Sequence, residues 1–383
     1  MKTGSNELMR DINSGLVLSL IIQECSISRA DISKKLGLTR ATVSAITEDL
    51  KQQGLIAETG FAPSKTGRKA VLYHFNQNHA YTVSIDLGPD TIIVLCTDLL
   101  GQEKMFYTVQ NHFGREEILD HLVRILENAA SYHAFPGHLC GISLAIHGTT
   151  FQNEVTFCTY SPYEGLPFYD TLSKAFQVPV YIENEANLSA IGEHTFCSHS
   201  NSIIFVSVHS GIGMGILIDN ELFTGFNGKS GELGHSIVEI NGRPCPCGNY
   251  GCLEQYASEQ AVLKDFCHIK GLSECDRNTF LEACRQSDPA ALAILNQFET
   301  YMTICVNNIL NMFNPEVIVI NSFLTAKLPE SLERIRAGLQ NQMKHYCILL
   351  PSMLRDQAPL LGGACLCTKN YLKLPELNLT KYF

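Results

Sequence analysis

Residues 80–101 read AYTVSIDLGPDTIIVLCTDLLG. Two runs of aliphatic and β-branched residues turn at Gly88 and Gly101, the pattern of consecutive strands. EKMFYTV (103–109) supplies a third strand at once. Downstream the spacing predicts a helix over 116–133, with Ile118, Leu122, Ile125 and Leu126 on one face. CGISLAIHG (140–148) returns as a strand apolar along its length, as strands covered on both faces are. A second cycle is expected to open with VPVYIENE (178–185) and a helix from Ala186. SIIFVSVHS (202–210), GIGMGILID (211–219), a long helix near 289–313 and EVIVI (316–320) complete it.

Two α/β lobes opened by hairpins suggest an actin-like, sugar-kinase-type ATPase fold, with any ligand between the lobes. The pattern begins only after Asn76–Ala80, which divides the chain into a module over 1–78 and a two-lobed body over 79–383. In the module, Leu16, Leu18, Leu20, Ile21 and Ile22 open a helix. No small-residue cleavage site follows them, so they read as part of a soluble domain and not as a signal peptide. Ser28 caps a second helix that ends at Gly37. Thr39 caps a third, whose Val43, Ile46 and Leu50 form an apolar stripe while Arg40, Thr42 and Ser44 take the opposite face. Two alternating strands then flank a loop carrying Lys65, Arg68 and Lys69. The layout is a winged helix-turn-helix with its third helix presented to a major groove. Candidate DNA contacts are Arg29, Thr39, Arg40, Thr42 and Ser44, with Lys65, Arg68 and Lys69 on the wing.

Charge supports that division of labour. The 383-residue chain carries a net charge of −10, yet residues 28–70 hold eight basic against four acidic side chains. A basic module on an acidic body implies one part for duplex DNA and another for something else. No run reaches the roughly 18 apolar residues of a membrane span. Fifteen cysteines, an odd number and mostly scattered, fit a reducing cytoplasm better than a disulfide framework. CPCGNYGC (245–252) is the exception, and His235 stands ten residues before it. His235, Cys245, Cys247 and Cys252 make a Cys₃His donor set for a closed, structural zinc ion. Pro246, Gly248 and Gly251 let so short a loop wrap around it. Glu232 and Glu254 flank this loop, and paired carboxylates beside an oriented imidazole suit sugar hydroxyls.

GIGMGILIDNELFTGFNGKSGELGHSIVEINGRPCPCGNYGCLEQYAS (211–258) resembles the signature of the ROK family of bacterial sugar kinases and sugar-responsive repressors. SRADISKKLGLTRATVS (28–44) and GRKAVLYHFN (67–76) resemble the DNA-binding module of its repressors. YIENEAN (181–187), NNILNMFNPEVIVI (307–320) and LLPSMLRDQAPLLG (349–362) are similar to segments of the xylose repressors of Gram-positive bacteria. The resemblance implies a sugar site of Gly148, Asn184, Glu185, Glu232, His235 and Glu254. It also implies a homodimer that holds operator DNA until xylose or a related aldose arrives. His147 replaces the usual proline, and Tyr163 follows Ser161-Pro162 where asparagine is usual.

Kinases of the family need a base and phosphate loops. Here Glu185 replaces the aspartate base, and Asp86-Leu87-Gly88-Pro89-Asp90 replaces Asp-x-Gly-Gly-Thr. Proline removes an N–H donor, and Asp90 puts negative charge where a phosphate belongs. Asn321-Ser322 stands where Gly-Gly holds the nucleoside, and only Ser210–Gly213 keeps a phosphate-loop composition. The sequence therefore predicts a switch without catalysis, with an ATP-dependent sugar kinase as the alternative.

Overall fold

The computed structural model describes residues 6–61, 70–131, 136–158, 162–340, 342–345 and 348–383. In the first module, α1 (Asn6–Glu24) starts well before the apolar run that announced it and buries Val17, Leu18, Ile21 and Ile22. A short strand β1 (Ile27–Ser28) leads into α2 (Arg29–Leu36). Ser28 Oγ accepts the Asp31 N–H, and Gly37 closes α2 at φ 68°. Thr39 caps α3 (Arg40–Gln52) by accepting the Thr42 N–H at 3.1 Å. Strands β2 (Ile56–Phe61) and β3 (Val71–Phe75) form the hairpin, and β1 adds to β3 to complete a three-stranded sheet. The wing residues Lys65, Arg68 and Lys69 lie outside the described residues.

The first lobe contains β4 (Ala80–Leu87), β5 (Thr91–Asp98), β6 (Glu103–Gln110), α4 (Ile118–Ala130) and β7 (His138–Ile146). The small hairpin β8 (Thr149–Phe151) and β9 (Glu154–Phe157), then α5 (Phe168–Phe176) and β10 (Val180–Asn184), follow. Its sheet runs β6-β5-β4-β7-β10, antiparallel through β4 and parallel beyond it. Residues 178–185 therefore end the first lobe and do not open the second. Val180 and Ile182 are buried against α5 and β7, a long-range pairing that local pattern cannot reveal.

Helix α6 (Glu185–Phe196) crosses to the second lobe, made of β11 (Ser202–Val208), β12 (Ile212–Ile218) and β13 (Glu221–Leu222). The cysteine-rich loop, α7 (Glu254–Ala257), α8 (Glu259–Lys270), α9 (Arg277–Arg285) and α10 (Pro289–Phe313) come next. Then follow β14 (Val317–Asn321), α11 (Phe323–Lys327), α12 (Pro329–Gly338) and β15 (Ile348–Pro351). The sheet order β13-β12-β11-β14-β15 repeats that of the first lobe, including the change from antiparallel to parallel at the central strand. This duplicated order is the two-lobed fold that the hairpins implied. No helix among the described residues is long and apolar enough to cross a membrane.

The final helix, α13 (Ala358–Tyr371), returns to the first lobe and packs on β7 and β4. It crosses α6 where glycines let the backbones meet: a Cβ on Gly362 would lie 1.7 Å from the Leu188 carbonyl oxygen. On its other side α6 touches β12, where a Cβ on Gly215 would lie 2.2 Å from the Ala186 oxygen. After α13 the tail carries Leu374, Leu377 and Leu379 into one core with Val17, Leu18 and Ile21 of α1. Apolar packing is thus continuous across the junction at 76–80. Gly362→Ala is expected to lower stability by about 1–3 kcal/mol through overpacking, measurable as a reduced midpoint of urea unfolding.

Candidate ligand cleft and metal centre

Strand β10 delivers Asn184 to the start of α6, where it acts as cap. Its Oδ1 accepts the N–H groups of Ala186 (2.9 Å) and Asn187 (3.2 Å), while Nδ2 donates to the Gly148 oxygen at 2.8 Å. Gly148 has no room for a side chain, since a Cβ would lie 2.3 Å from the Phe157 oxygen. Glu183 fixes this corner from behind, accepting from Thr150 Oγ1, Asn187 Nδ2 and the Asn184 N–H at 2.8–3.0 Å. Glu185 is buried, and Ser189 Oγ donates to it at 2.9 Å.

From the second lobe, Glu232, His235 and Glu254 line the same cleft as these groups. His235 Nδ1 lies 3.6 Å from Glu254, and its Nε2 lies 3.7 Å from Glu232. All six sugar-site residues expected from the sequence line this one cleft. Sequence reasoning left out His209, Ser207 and Ala186, which line it too. His209 follows directly on β11 inside a run that reads as a buried strand, so no local pattern distinguishes it.

The adjoining half of the cleft is lined by Asp86, Pro89, Asp90, Asp356, His147, His209 and Arg277. Its cationic groups already have partners. His147 Nε2 lies 2.7 Å from Asp86, His209 Nδ1 lies 3.8 Å from Glu259, and Arg277 reaches Glu259 at 2.7 Å. Burial opposes charge on His147, yet the Asp86 carboxylate and hydrogen bond, with Glu185 beyond, push it up to about 9. His209 is raised as well: burial opposes its charge, but its Glu259 hydrogen bond and the charges of Glu185 and Glu259 outweigh that.

In the loop beyond η-turn residues 233–235, the donor atoms of His235, Cys245, Cys247 and Cys252 lie within 4.8 Å of one another. Cys247 and Cys252 sulfurs are 3.7 Å apart, and Cys245 Sγ is 3.5 Å from His235 Nδ1. A tetrahedral zinc with bonds of about 2.3 Å to sulfur and 2.0–2.1 Å to nitrogen requires edges of about 3.8 and 3.6 Å. The donor set therefore suits such an ion in chemistry, and these two edges match its spacing. Gly251 (φ 78°) is obligatory here, because a Cβ would lie 1.7 Å from the Glu239 oxygen. Bridges from Ile237 to Cys252 and from Pro244 to Tyr250 hold the loop's ends.

In the first module Arg40 is exposed at the start of α3, and Thr39 is exposed beside it. Thr42 and Ser44 are half-buried on the same helix, with Thr42 Oγ1 2.8 Å from Thr39 Oγ1. Arg29 is partly exposed: its Nε donates to the buried Thr47 at 2.7 Å, Glu48 lies 3.5 Å away, and the guanidinium sits 5.0 Å over the Tyr73 ring. The structure thus gives Arg29 a role in joining α2, α3 and β3, unlike the exposed Arg40. Electrostatics gives a pH prediction for the cleft. Since His147 has a raised value, its contribution to stability is complete below about 6.5 and is lost as pH rises through about 9. In Asp86→Asn its NMR titration midpoint is expected to fall to about 6.5 or below, because burial then dominates.

Sequence and structure comparisons agree with this architecture. The ROK family profile matches residues 82–370, and a winged helix-turn-helix DNA-binding profile matches residues 10–57. The chain is 32% identical to the xylose repressor of Bacillus subtilis (strain 168) over 98% of its own length and 99% of that protein's. A solved ROK family transcriptional regulator, described as a homologue of the Escherichia coli MLC protein, shares 28% identity. It covers 95% of this chain and 97% of its own, with a TM-score of 0.83. The ROK glucokinase of Streptomyces griseus, solved with glucose and AMPPNP, shares the fold. Its TM-score is 0.67 at 23% identity, over 75% of this chain and 98% of the kinase. This chain, a winged helix-turn-helix module joined to a duplicated two-lobed body, belongs to the ROK family.

Proposed function

We infer that the chain is a sugar-responsive transcriptional repressor: the winged helix holds operator DNA and a monosaccharide in the cleft controls it. The observation that carries this reading is the unequal state of the cleft's two halves. The half lined by Asn184, Glu185, Glu232, His235 and Glu254 carries three carboxylates, each with oxygens that can accept from hydroxyls. In the phosphate half, the histidine and arginine charges are already paired with carboxylates, and Asp90 adds a further negative group. A polyphosphate would have to displace those partners, so phosphoryl transfer is disfavoured and the protein acts as a switch. The repressor relatives and the DNA-binding profile support the same conclusion.

Xylose or a related aldose is the proposed effector, on the strength of the relatives' names. Zinc held by His235, Cys245, Cys247 and Cys252 is proposed as a structural ion. It would order the loop that positions Glu232 and Glu254 and leave His235 Nε2 facing the cleft. A homodimer in the cytoplasm is proposed because winged helices read paired half-sites at a fixed spacing.

The route from sugar to DNA runs along α6. Asn184 caps its start and Glu185 opens its first turn, and its last turn holds the C-terminal tail, with the Leu379 N–H donating to the Thr195 oxygen at 2.9 Å. The tail in turn grips α1. Tyr382 Oη donates to the Ile22 oxygen at 2.7 Å, and Ser19 Oγ donates to the Glu376 oxygen at 3.3 Å. Sugar that favours one lobe arrangement over another would therefore shift α1 and its winged helix.

The deciding experiment is an electrophoretic mobility shift on the protein's own upstream region with a panel of monosaccharides. Xylose is expected to release the DNA; ATP-dependent phosphorylation of a sugar at enzymatic rates would instead establish a kinase. Arg40→Ala should weaken operator binding about tenfold while sugar binding persists, and Asn184→Ala should do the reverse. Cys247→Ser is expected to lose bound zinc, read by elemental analysis, and with it the response to sugar.

A further inference from the structure

A second pair of thiols stands apart from the metal loop. Cys267 lies on α8, and Cys275 lies in the turn between α8 and α9. Their sulfurs approach to 2.9 Å, and both side chains are partly exposed. Local structure brings them together. Gly271 adopts the left-handed conformation at φ 66°, and the Leu272 N–H donates to the Cys267 oxygen at 2.9 Å. The chain therefore folds back over Cys267 as soon as α8 ends. Asp276 then caps α9, accepting the Thr279 N–H at 2.8 Å, so the turn is held at both ends with Cys275 beside Cys267.

We propose that Cys267 and Cys275 form a reversible, peroxide-oxidised disulfide that fixes the α8–α9 turn. Closure from 2.9 Å to the about 2.05 Å of a disulfide needs less than about one ångström of movement. Hydrogen peroxide or an organic hydroperoxide is the oxidant. The Cys267 sulfur attacks one peroxide oxygen, breaking the O–O bond to give a sulfenic acid and water or an alcohol. The Cys275 sulfur then displaces the sulfenic oxygen as water, so two S–H bonds are lost, one S–S bond forms and the peroxide takes both electrons. Burial and the contact with Cys267 push the Cys275 thiol up to about 12, which disfavours its thiolate and leaves the first attack on peroxide to Cys267. In a reducing compartment such a bridge is transient, opened again by thiol exchange.

The turn is connected to the cleft. Arg277 follows Asp276 directly, and its guanidinium reaches Glu259 at 2.7 Å and lies 5.6 Å over the Phe323 ring. Glu259 accepts the Phe323 N–H at 2.9 Å and faces His209 at 3.8 Å, and both Arg277 and His209 line the cleft. Pinning the turn therefore restrains the segment that positions Arg277. The device is separate from the metal ligands and needs no sugar.

The test uses the full chain, purified reduced, treated with one to a few equivalents of hydrogen peroxide (about the stoichiometry of the step), alkylated and digested with trypsin. Cleavage after Lys264, Lys270 and Arg277 places the two cysteines on separate peptides, DFCHIK and GLSECDR. The expected product is these two joined, lighter by two hydrogens than their sum and separated again by dithiothreitol. Hydrogen exchange across 271–278 should slow in the oxidised protein. Cys275→Ser should abolish the linked pair and leave Cys267 trappable by dimedone as sulfenic acid. The assignment is overturned if both cysteines remain alkylated while other thiols oxidise, or if Cys275 links to a different cysteine.

Discussion

Helix α6 is enclosed on nearly every side, and the rest of the molecule is arranged around that fact. Of its residues only Ile191 is not buried. A helix apolar or satisfied all round belongs inside a protein, and here it lies between the two lobes. Close approach is possible because Gly192, Gly213, Gly215 and Gly362 remove side chains at the crossings. Its buried Glu193 is satisfied in place: it accepts the Leu354 N–H at 3.0 Å and the Ser352 hydroxyl from the segment leading into α13. Close-packed surfaces of this kind do not deform gradually, so a displacement at one end is shared with α13, β12 and the tail.

The cleft shows how one scaffold serves two kinds of chemistry. Sugar recognition requires oriented polar groups, and Asn184, Glu185, Glu232 and Glu254 line one half of this cleft. Phosphate recognition requires unpaired positive charge or free N–H groups. Pro89 offers none, and the charges of the half-buried His147 and the exposed Arg277 are paired with Asp86 and with the buried Glu259. Removing one member of such a pair would leave its partner buried and uncompensated, so the pairs resist being broken. Fold is shared with glucokinase, while the electrostatics of the site differ from what phosphoryl transfer asks for.

Much of the candidate site was legible because its chemistry is local. The candidate metal donors lie within eighteen residues, between His235 and Cys252, and the caps of α2 and α3 are set by Ser28 and Thr39 against their immediate neighbours. His209 was not legible, since a histidine ending a buried strand has no signature until its facing groups are known. Nor was the role of Arg29, whose partners Thr47 and Tyr73 are distant in the chain. The order of strands misled for the same reason: residues 178–185 pair with β7, and only long-range contacts assign them to the first lobe.

By itself the sequence determined what hydrophobic period, turn chemistry and short donor spacing can encode. That comprises the winged helix, two successive α/β lobes, the Cys₃His cluster and the acids beside it. Only the tertiary structure decided that the last helix returns to the first lobe and that the tail shares a core with α1. It also decided that the charges of the phosphate half cancel in pairs. Those outcomes depend on packing between segments up to several hundred residues apart, such as Tyr382 on Ile22. Their energies come from surfaces and charges meeting in space, and no local stretch of chain carries that information.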